Sequence, residues 1–316
     1  MANIRVSASL ATLCSVFLLV LSVGLGCSPS SGTPTPAFDK DNAFDLLKKQ
    51  VDFGPRYPGV AAHAATADFI VSQLKTNADE VTIQQFTQTI DGKKLDLRNI
   101  IARFKPTAKQ TILLAAHWDT RPVADMEVDQ AKRAQPIPGA NDGASGVAVL
   151  LELARVFAKQ KPDVGVIMVF FDGEDYTTNP PSSQDMFLGS KYFAAHLDAR
   201  TKLAIRYGVL LDMIGDKNLA IHPESNSVEA APAVVNKVWS AARSLGYREQ
   251  FVPSVKYSIS DDHLPLIAAG IKTIDLIDFD YGPWHTVDDT VDNCSPDSLK
   301  IVGDVVSRVV YEETAE

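Results

Sequence analysis

The sequence predicts an α/β sandwich, a single domain built around a mixed, mainly parallel central sheet. Thr111 to Ala116, Val164 to Phe171, Tyr207 to Met213 and Thr273 to Ile277 are nearly unbroken apolar runs of strand length, as expected of strands covered on both faces. Stretches with helical periodicity separate them, the pattern of an α/β fold. Acidic and histidine residues follow the C-terminal ends of the runs, where open parallel sheets hold their ligands.

Asp39 to Val51 starts acidic and carries Ala43, Leu46, Leu47 and Val51 at helical spacing, so a helix opens the domain. Gly54-Pro55-Arg56-Tyr57-Pro58-Gly59 interrupts it, and Ala61 to Leu74 reads as a second helix. Val81 to Phe86 and Leu97 to Phe104 are short β-type runs ahead of the first central strand. Further helices are expected at Gly146 to Lys159, Gly189 to His196, Ala233 to Ser244 and Pro296 to Glu312, the last with Ser295 as cap and proline in its first turn. Two connections, Thr120 to Gly139 and Tyr176 to Leu188, are long for a compact domain and are expected to wall a pocket.

The chain has 316 residues, 46% hydrophobic and 22% charged, an ordinary globular composition. Thirty Lys and Arg stand against 39 Asp and Glu, a formal charge of -9. With no basic cluster to offset that acidity, a nucleic-acid partner is excluded. The cysteines are Cys14, Cys27 and Cys294, and only Cys294 falls in the expected domain. Disulfide frameworks and paired-cysteine metal or redox motifs are thereby excluded, and Cys294 reads as a small buried residue.

Arg5 followed by the apolar stretch Leu10 to Val23 is a signal-peptide pattern. Gly24-Leu25-Gly26-Cys27 resembles the lipobox of bacterial lipoproteins, and a Ser/Pro-rich tether follows directly. The organisation expected is a leader over 1–26, a tether over 27–38 and a catalytic domain over 39–316. Cys27 would be lipidated, placing an exported monomer on the membrane facing the periplasm; plain secretion and an uncleaved anchor are the alternatives.

The residues with chemistry fall in separate segments: His117-Trp118-Asp119, Asp142 within Gly139 to Gly143, Asp172-Gly173-Glu174-Asp175, Asp212, Asp261-Asp262-His263 and Trp284-His285-Thr286. Carboxylate and imidazole converging on one crevice, with thiolates absent, is the donor chemistry of a zinc site. Taken singly, Asp142 also reads as a helix cap, Asp175 as a solvated loop acid and His285 as a surface imidazole.

From about Leu97 onward, these segments in this order resemble the zinc-dependent glutaminyl cyclases and their relatives, the zinc aminopeptidases with paired metals. The resemblance implies the zinc aminopeptidase-like (phosphorylase/hydrolase-like) fold and closure of a peptide's N-terminal glutamine into pyroglutamate with release of ammonia. It implies one Zn2+ held by Asp142, Asp175 and His285, with Glu174 as general acid/base and Asp212 and Asp261 sharing hydrogen bonds near the reacting amide. Trp284 suits packing on the glutamine side chain, or is an ordinary core aromatic. The alternative is an aminopeptidase with two zinc ions, the second on His117 and Asp212 with Asp142 bridging and Asp119 orienting the histidine. A third is an inactive binding lipoprotein. His63, His196 and His222 lack acidic neighbours in sequence and are expected at the surface, and Asp288 and Asp289 in a solvated turn.

Overall fold

Alternating faces organise the structure. In a strand, successive side chains point to opposite sides, so an unbroken apolar run feeds two cores at once. Ile112, Leu114 and Ala116 join one core with Val166, Met168 and Phe170, while Leu113 and Ala115 join the other with Ile167, Val169 and Phe171. The structure, a computed structural model, describes residues 1–2, 36–177 and 186–315. The leader, Cys27 and the tether up to residue 35 lie outside the described residues, as do residues 178–185 of the second long connection.

The strands are β1 (Glu80–Ile90), β2 (Lys93–Phe104), β3 (Thr111–His117), β4 (Gly165–Phe171), β5 (Ile205–Asp212) and β6 (Thr273–Ile277), ordered β1-β2-β4-β3-β5-β6. The β4, β3, β5 and β6 neighbours pair in parallel, whereas β2 runs antiparallel to both β1 and β4, giving the mixed, mainly parallel sheet predicted. Helices α1 (Lys40–Asp52), α2 (Ala61–Asn77), α3 (Ala144–Lys159), α7 (Pro232–Ser244) and α9 (Pro296–Tyr311) supply the larger core; α4 (Leu188–Ala195) and α8 (His263–Ala268) pack on the opposite side. Short helices α5 (Ala199–Ala204) and α6 (Ser225–Ala230) complete the set among the described residues.

Two of these helices, α1 and α9, carry the caps their sequences announce. Asp39 accepts from the amides of Asp41 and Asn42 at the start of α1, and Ser295 from Asp297 at the start of α9. By contrast, α3 begins after Gly143 with no side-chain cap. Its direction is set by contact instead: a Cβ on Gly146 would stand 2.2 Å from the Leu211 carbonyl of β5. That close approach brings the residues before α3 against the ends of β3 and β5.

The hairpin β1–β2 is longer than the two apolar runs predicted. It turns at Asp91-Gly92, both with positive φ (49° and 73°), as a two-residue hairpin loop requires.

Candidate metal centre and active site

The C-terminal ends of β3, β4 and β5 deliver His117, the Asp172–Asp175 turn and Asp212 to one crevice, and the residues before α3 add Asp142. His285 reaches it from the segment after β6. Asp142, Asp175 and His285 each bring one donor atom into a group whose members lie within 4.8 Å of one another, and all three are buried. His285 Nε2 stands 3.5 Å from Asp142 Oδ2 and 3.4 Å from Asp175 Oδ1. Donors about 2.1 Å from one tetrahedral zinc ion lie roughly 3.4 Å apart, so these spacings fit a shared cation. Asp175 Oδ2 is buried with no hydrogen-bond partner among the described residues, a cost that a cation would remove.

A second group is formed by His117, Asp142 and Asp212. Here His117 Nε2 is 3.1 Å from Asp142 Oδ1 and 3.0 Å from Asp212 Oδ1, ordinary hydrogen-bond lengths. Burial alone would lower the pKa of His117, but Asp212, with Asp119 and Asp142, outweighs it and holds the imidazole well above its usual value. For His285 too, burial opposes charge, and Asp175, Asp125 and Asp142 outweigh it, holding the pKa at about 9. Asp175 is pulled to about 2, because His285 and Arg121 overcome the effect of burial.

Glu174 is 8% exposed, with Oε2 3.7 Å from His117 Nδ1. Burial pushes its carboxyl well above the usual range; His117 opposes this, and Asp175, Asp261 and Asp262 add to it. Asp261 rises to about 7 by burial and the nearby Asp212 charge. These acids floor a narrow cavity of about 60 Å³ whose apolar wall is Met186, Met213, Ile259, Ile277, Phe279 and Trp284. A larger hollow, about 470 Å³ around Arg103 and Arg200, lies at the other ends of the strands, away from this convergence.

Two of the six non-glycine residues with positive φ among the described residues belong to this site. Met213, next to Asp212, and His285 itself adopt left-handed φ (46° and 54°), which side chains other than glycine rarely do. Trp284 is half-buried and stacks on the His285 ring at 4.0 Å while leaning on Phe279 at 4.9 Å, so it both lines the cavity and fixes a site histidine.

The crevice brings together Asp142, Glu174, Asp175, Asp212, Asp261, His117, Trp284 and His285, all the site residues read from sequence. Several neighbouring assignments are corrected. His63 is not at the surface: it is 4% exposed, bonded to Asp172 Oδ1 at 2.8 Å and stacked on Trp118 at 4.4 Å. Asp289 is not solvated. It is fully buried and accepts from the amides of Asn141 and Asp142 and from the Tyr281 hydroxyl. Asp119 lies 3.7 Å from His117 Nδ1, beyond hydrogen-bond length, and accepts instead from the amides of Glu174 and Asp175. It orders the turn that carries the catalytic candidates more than it orients the histidine. His196 and His222 do bond only backbone and a serine, and Cys294 is buried and free, as read. Sequence reasoning passed over Arg121 and Asp125, whose side chains close around the site from behind.

Residues 99–310 match the sequence profile of Peptidase family M28. The chain belongs to that family. Among solved M28-like structures, a glutaminyl cyclase from Bacteroides thetaiotaomicron bound to N-acetylhistamine superposes with TM-score 0.85 at 40% identity, covering 89% of this chain and 100% of the other. A Zn-dependent exopeptidase from Parabacteroides distasonis superposes with TM-score 0.85 at 39% identity, covering 89% and 100%. The glutaminyl-peptide cyclotransferase of Drosophila melanogaster is 26% identical over 275 residues, 78% of this M28 chain and 75% of that protein. Cyclase and peptidase names thus occur at nearly equal likeness, and both accord with the family's α/β sandwich.

Proposed function

We propose that this M28 protein is a zinc-dependent glutaminyl-peptide cyclotransferase, acting on peptides with an N-terminal glutamine. The observation that carries the reading is the meeting of Asp142, Asp175 and His285 at spacings suited to one zinc ion, with Glu174 beside them lining a small, apolar-walled cavity. The likeness to the Bacteroides thetaiotaomicron cyclase supports it.

Zinc, when bound, supplies Lewis acidity that makes the side-chain amide carbon of the substrate glutamine electrophilic. The chain's own residues do the rest. The apolar wall and Trp284 hold the side chain bent back on its α-nitrogen, a conformer for which effective molarities reach about 10⁵ M or more. Glu174, made more basic by burial, takes a proton from the α-nitrogen as the ring C–N bond forms. It returns that proton to the amide nitrogen as the old C–N bond breaks and ammonia leaves. Asp261 and Asp212 hold the amide NH2 group through shared hydrogen bonds, one of them protonated because close buried carboxylates resist ionising together. No water is consumed in this step.

A specific observation keeps an aminopeptidase with two zinc ions in view: His117, Asp142 and Asp212 also bring donors within 4.8 Å of one another. The cyclase reading treats a charged His117, hydrogen-bonded to Asp212 and ion-paired with Asp142, as the cation at that place. The two readings separate when the purified protein is given a Gln-initiated peptide and a leucine amide, with and without chelator. Chelator-sensitive release of ammonia from the first, competed by N-acetylhistamine, is the expected result. Hydrolysis of the leucine amide with no cyclisation overturns the proposal.

We further propose a lipidated Cys27, a tether to residue 38 and a catalytic domain from residue 39 that works as an exported, membrane-anchored monomer facing the periplasm. The lipobox-like Gly24 to Cys27 run supports this. Replacing Cys27 with alanine should then release the protein from membrane fractions and abolish its labelling by radioactive palmitate.

A further inference from the structure

We infer that Arg121 and Asp125 form a clamp that orients Asp175 and His285 and thereby sets the affinity of the site for its metal ion. The inference rests on the reading of Asp142, Asp175 and His285 as ligands. Arg121 Nη1 donates to Asp175 Oδ1 at 2.6 Å, while its Nε and Nη2 donate to the two oxygens of Asp125 at 2.8 and 3.0 Å. Asp125 Oδ1 in turn stands 3.2 Å from His285 Nδ1, an ion-pair distance rather than an aligned hydrogen bond, since Nδ1 has no hydrogen-bond partner among the described residues. A single guanidinium therefore ties a carboxylate in the turn after β4 to an imidazole in the segment after β6, through one acid of the long loop that follows β3.

The chemistry of each contact favours ligation. A histidine binds metal through an unprotonated nitrogen, and a carboxylate charge beside Nδ1 favours the tautomer with its proton there, leaving Nε2 bare toward the site. Arg121 engages one side of the Asp175 carboxylate while Oδ2 remains without a hydrogen-bond partner among the described residues. Oδ1, the oxygen 3.4 Å from His285 Nε2, is thus shared between the guanidinium and the site, while Oδ2 stays available. Only a planar fork with several donors reaches both acids in this way, so lysine is a poor replacement. The Arg121 side chain is 4% exposed, and desolvation of this kind is hard to explain as surface pairing. Asp125 is more open, with 30% of its side chain exposed, which makes it the gentler point of attack.

The test is zinc affinity, a property that a role limited to packing would not move. The purified protein is stripped with a chelator, and the wild type, Arg121→Ala, Arg121→Lys and Asp125→Ala compete with a chromophoric chelator for added zinc. Thermal melts of the metal-free proteins run alongside. Outer partners of metal ligands are worth about 10–100-fold in affinity, and a loss in that range is expected for Arg121→Ala and Asp125→Ala, with a smaller loss for Arg121→Lys. Should Arg121→Ala fail to fold, Asp125→Ala and Arg121→Lys carry the test. Folded variants that bind zinc as tightly as the wild type would overturn the clamp and leave the zinc reading standing. A wild type that binds no zinc would overturn the ligand reading and the clamp with it.

Discussion

Replacing Asp261 with asparagine should stabilise the metal-free protein increasingly as the pH rises from about 4 to about 7. Asp261 is 3% exposed; burial and the Asp212 charge lift its pKa from the usual 3.8 to about 7. A raised folded-state pKa means the folded chain binds the proton more tightly than the unfolded chain. Stability is therefore full below about 3.8 and declines as pH rises toward 7. Above that, the ionised carboxylate costs about 4 kcal/mol, from a gap of about three pH units at roughly 1.4 kcal/mol each. An amide at this position cannot ionise. Its oxygen still accepts from the Asp262 amide, and its NH2 replaces Oδ2, which has no partner among the described residues. Chelator-treated wild type and Asp261→Asn, unfolded by guanidinium at pH 4 and pH 8, should differ little at the first pH and by up to about 4 kcal/mol at the second, in favour of the variant. At roughly 2 °C per kcal/mol for a domain of this size, the melting temperature would rise by about 8 °C at most. A difference independent of pH would refute the argument, and so would a variant destabilised at pH 8.

Glu174→Gln should keep zinc affinity within a few-fold while lowering kcat for cyclisation by about 10²–10⁴, the usual worth of a general acid/base; stopped-assay ammonia release measures it. Asp289→Ala leaves the Asn141 and Asp142 amides and the Tyr281 hydroxyl without their acceptor, at about 1–3 kcal/mol per orphaned group. It should therefore lower the melting temperature markedly and weaken zinc binding, and a variant as stable as wild type would count against the scaffolding role. Gly146→Ala would ordinarily favour a helix by about 1 kcal/mol, yet here the added Cβ meets the Leu211 carbonyl at 2.2 Å. A net loss of about 1–3 kcal/mol in denaturant melts is expected, and a gain would show that α3 has room to move.

The central sheet was legible because its strands are buried on both faces and so are written as continuous apolar runs. The edge was less so. β1 carries Gln84, Gln85, Thr87, Gln88 and Thr89, a polar composition that hides strand residues from any hydrophobic pattern, and the Asp91-Gly92 turn signal between the two runs was passed over. The site residues were legible as chemistry and as resemblance, since each sits beside an element end. What the sequence could not display was pairing across distance. His63 finds Asp172 109 positions away, Asn141 finds Asp289 148 positions away, and Arg121 finds Asp175 54 positions away. Local context gave His63 no acid and Asp289 no reason to be buried, and both were therefore assigned to the surface.

Hydrogen-bond saturation separates the acids of this crevice where residue type does not. Asp119 spends both oxygens on the Glu174 and Asp175 amides, and Asp289 spends both on the Asn141 and Asp142 amides. A buried carboxylate with both oxygens bonded in this way has less need of a cation or a substrate amide, and its work is to hold the two loops that carry Asp142, Glu174 and Asp175. Asp175 and Asp261 are equally buried, and each keeps an oxygen without a partner among the described residues. Leaving such a group bare costs about 1–3 kcal/mol or more, a penalty that folding alone gives no reason to retain. An incoming ion or substrate amide would supply the missing partner. The same criterion applies to Asp275, buried with neither oxygen hydrogen-bonded among the described residues, and to the neighbouring His263, whose ring nitrogens have no hydrogen bond among them and stand 3.4 Å from Glu224 and 3.9 Å from Asp275. That cluster sits directly behind Asp261, so a proton shared within it would bear on the charge that Asp261 presents to the cavity.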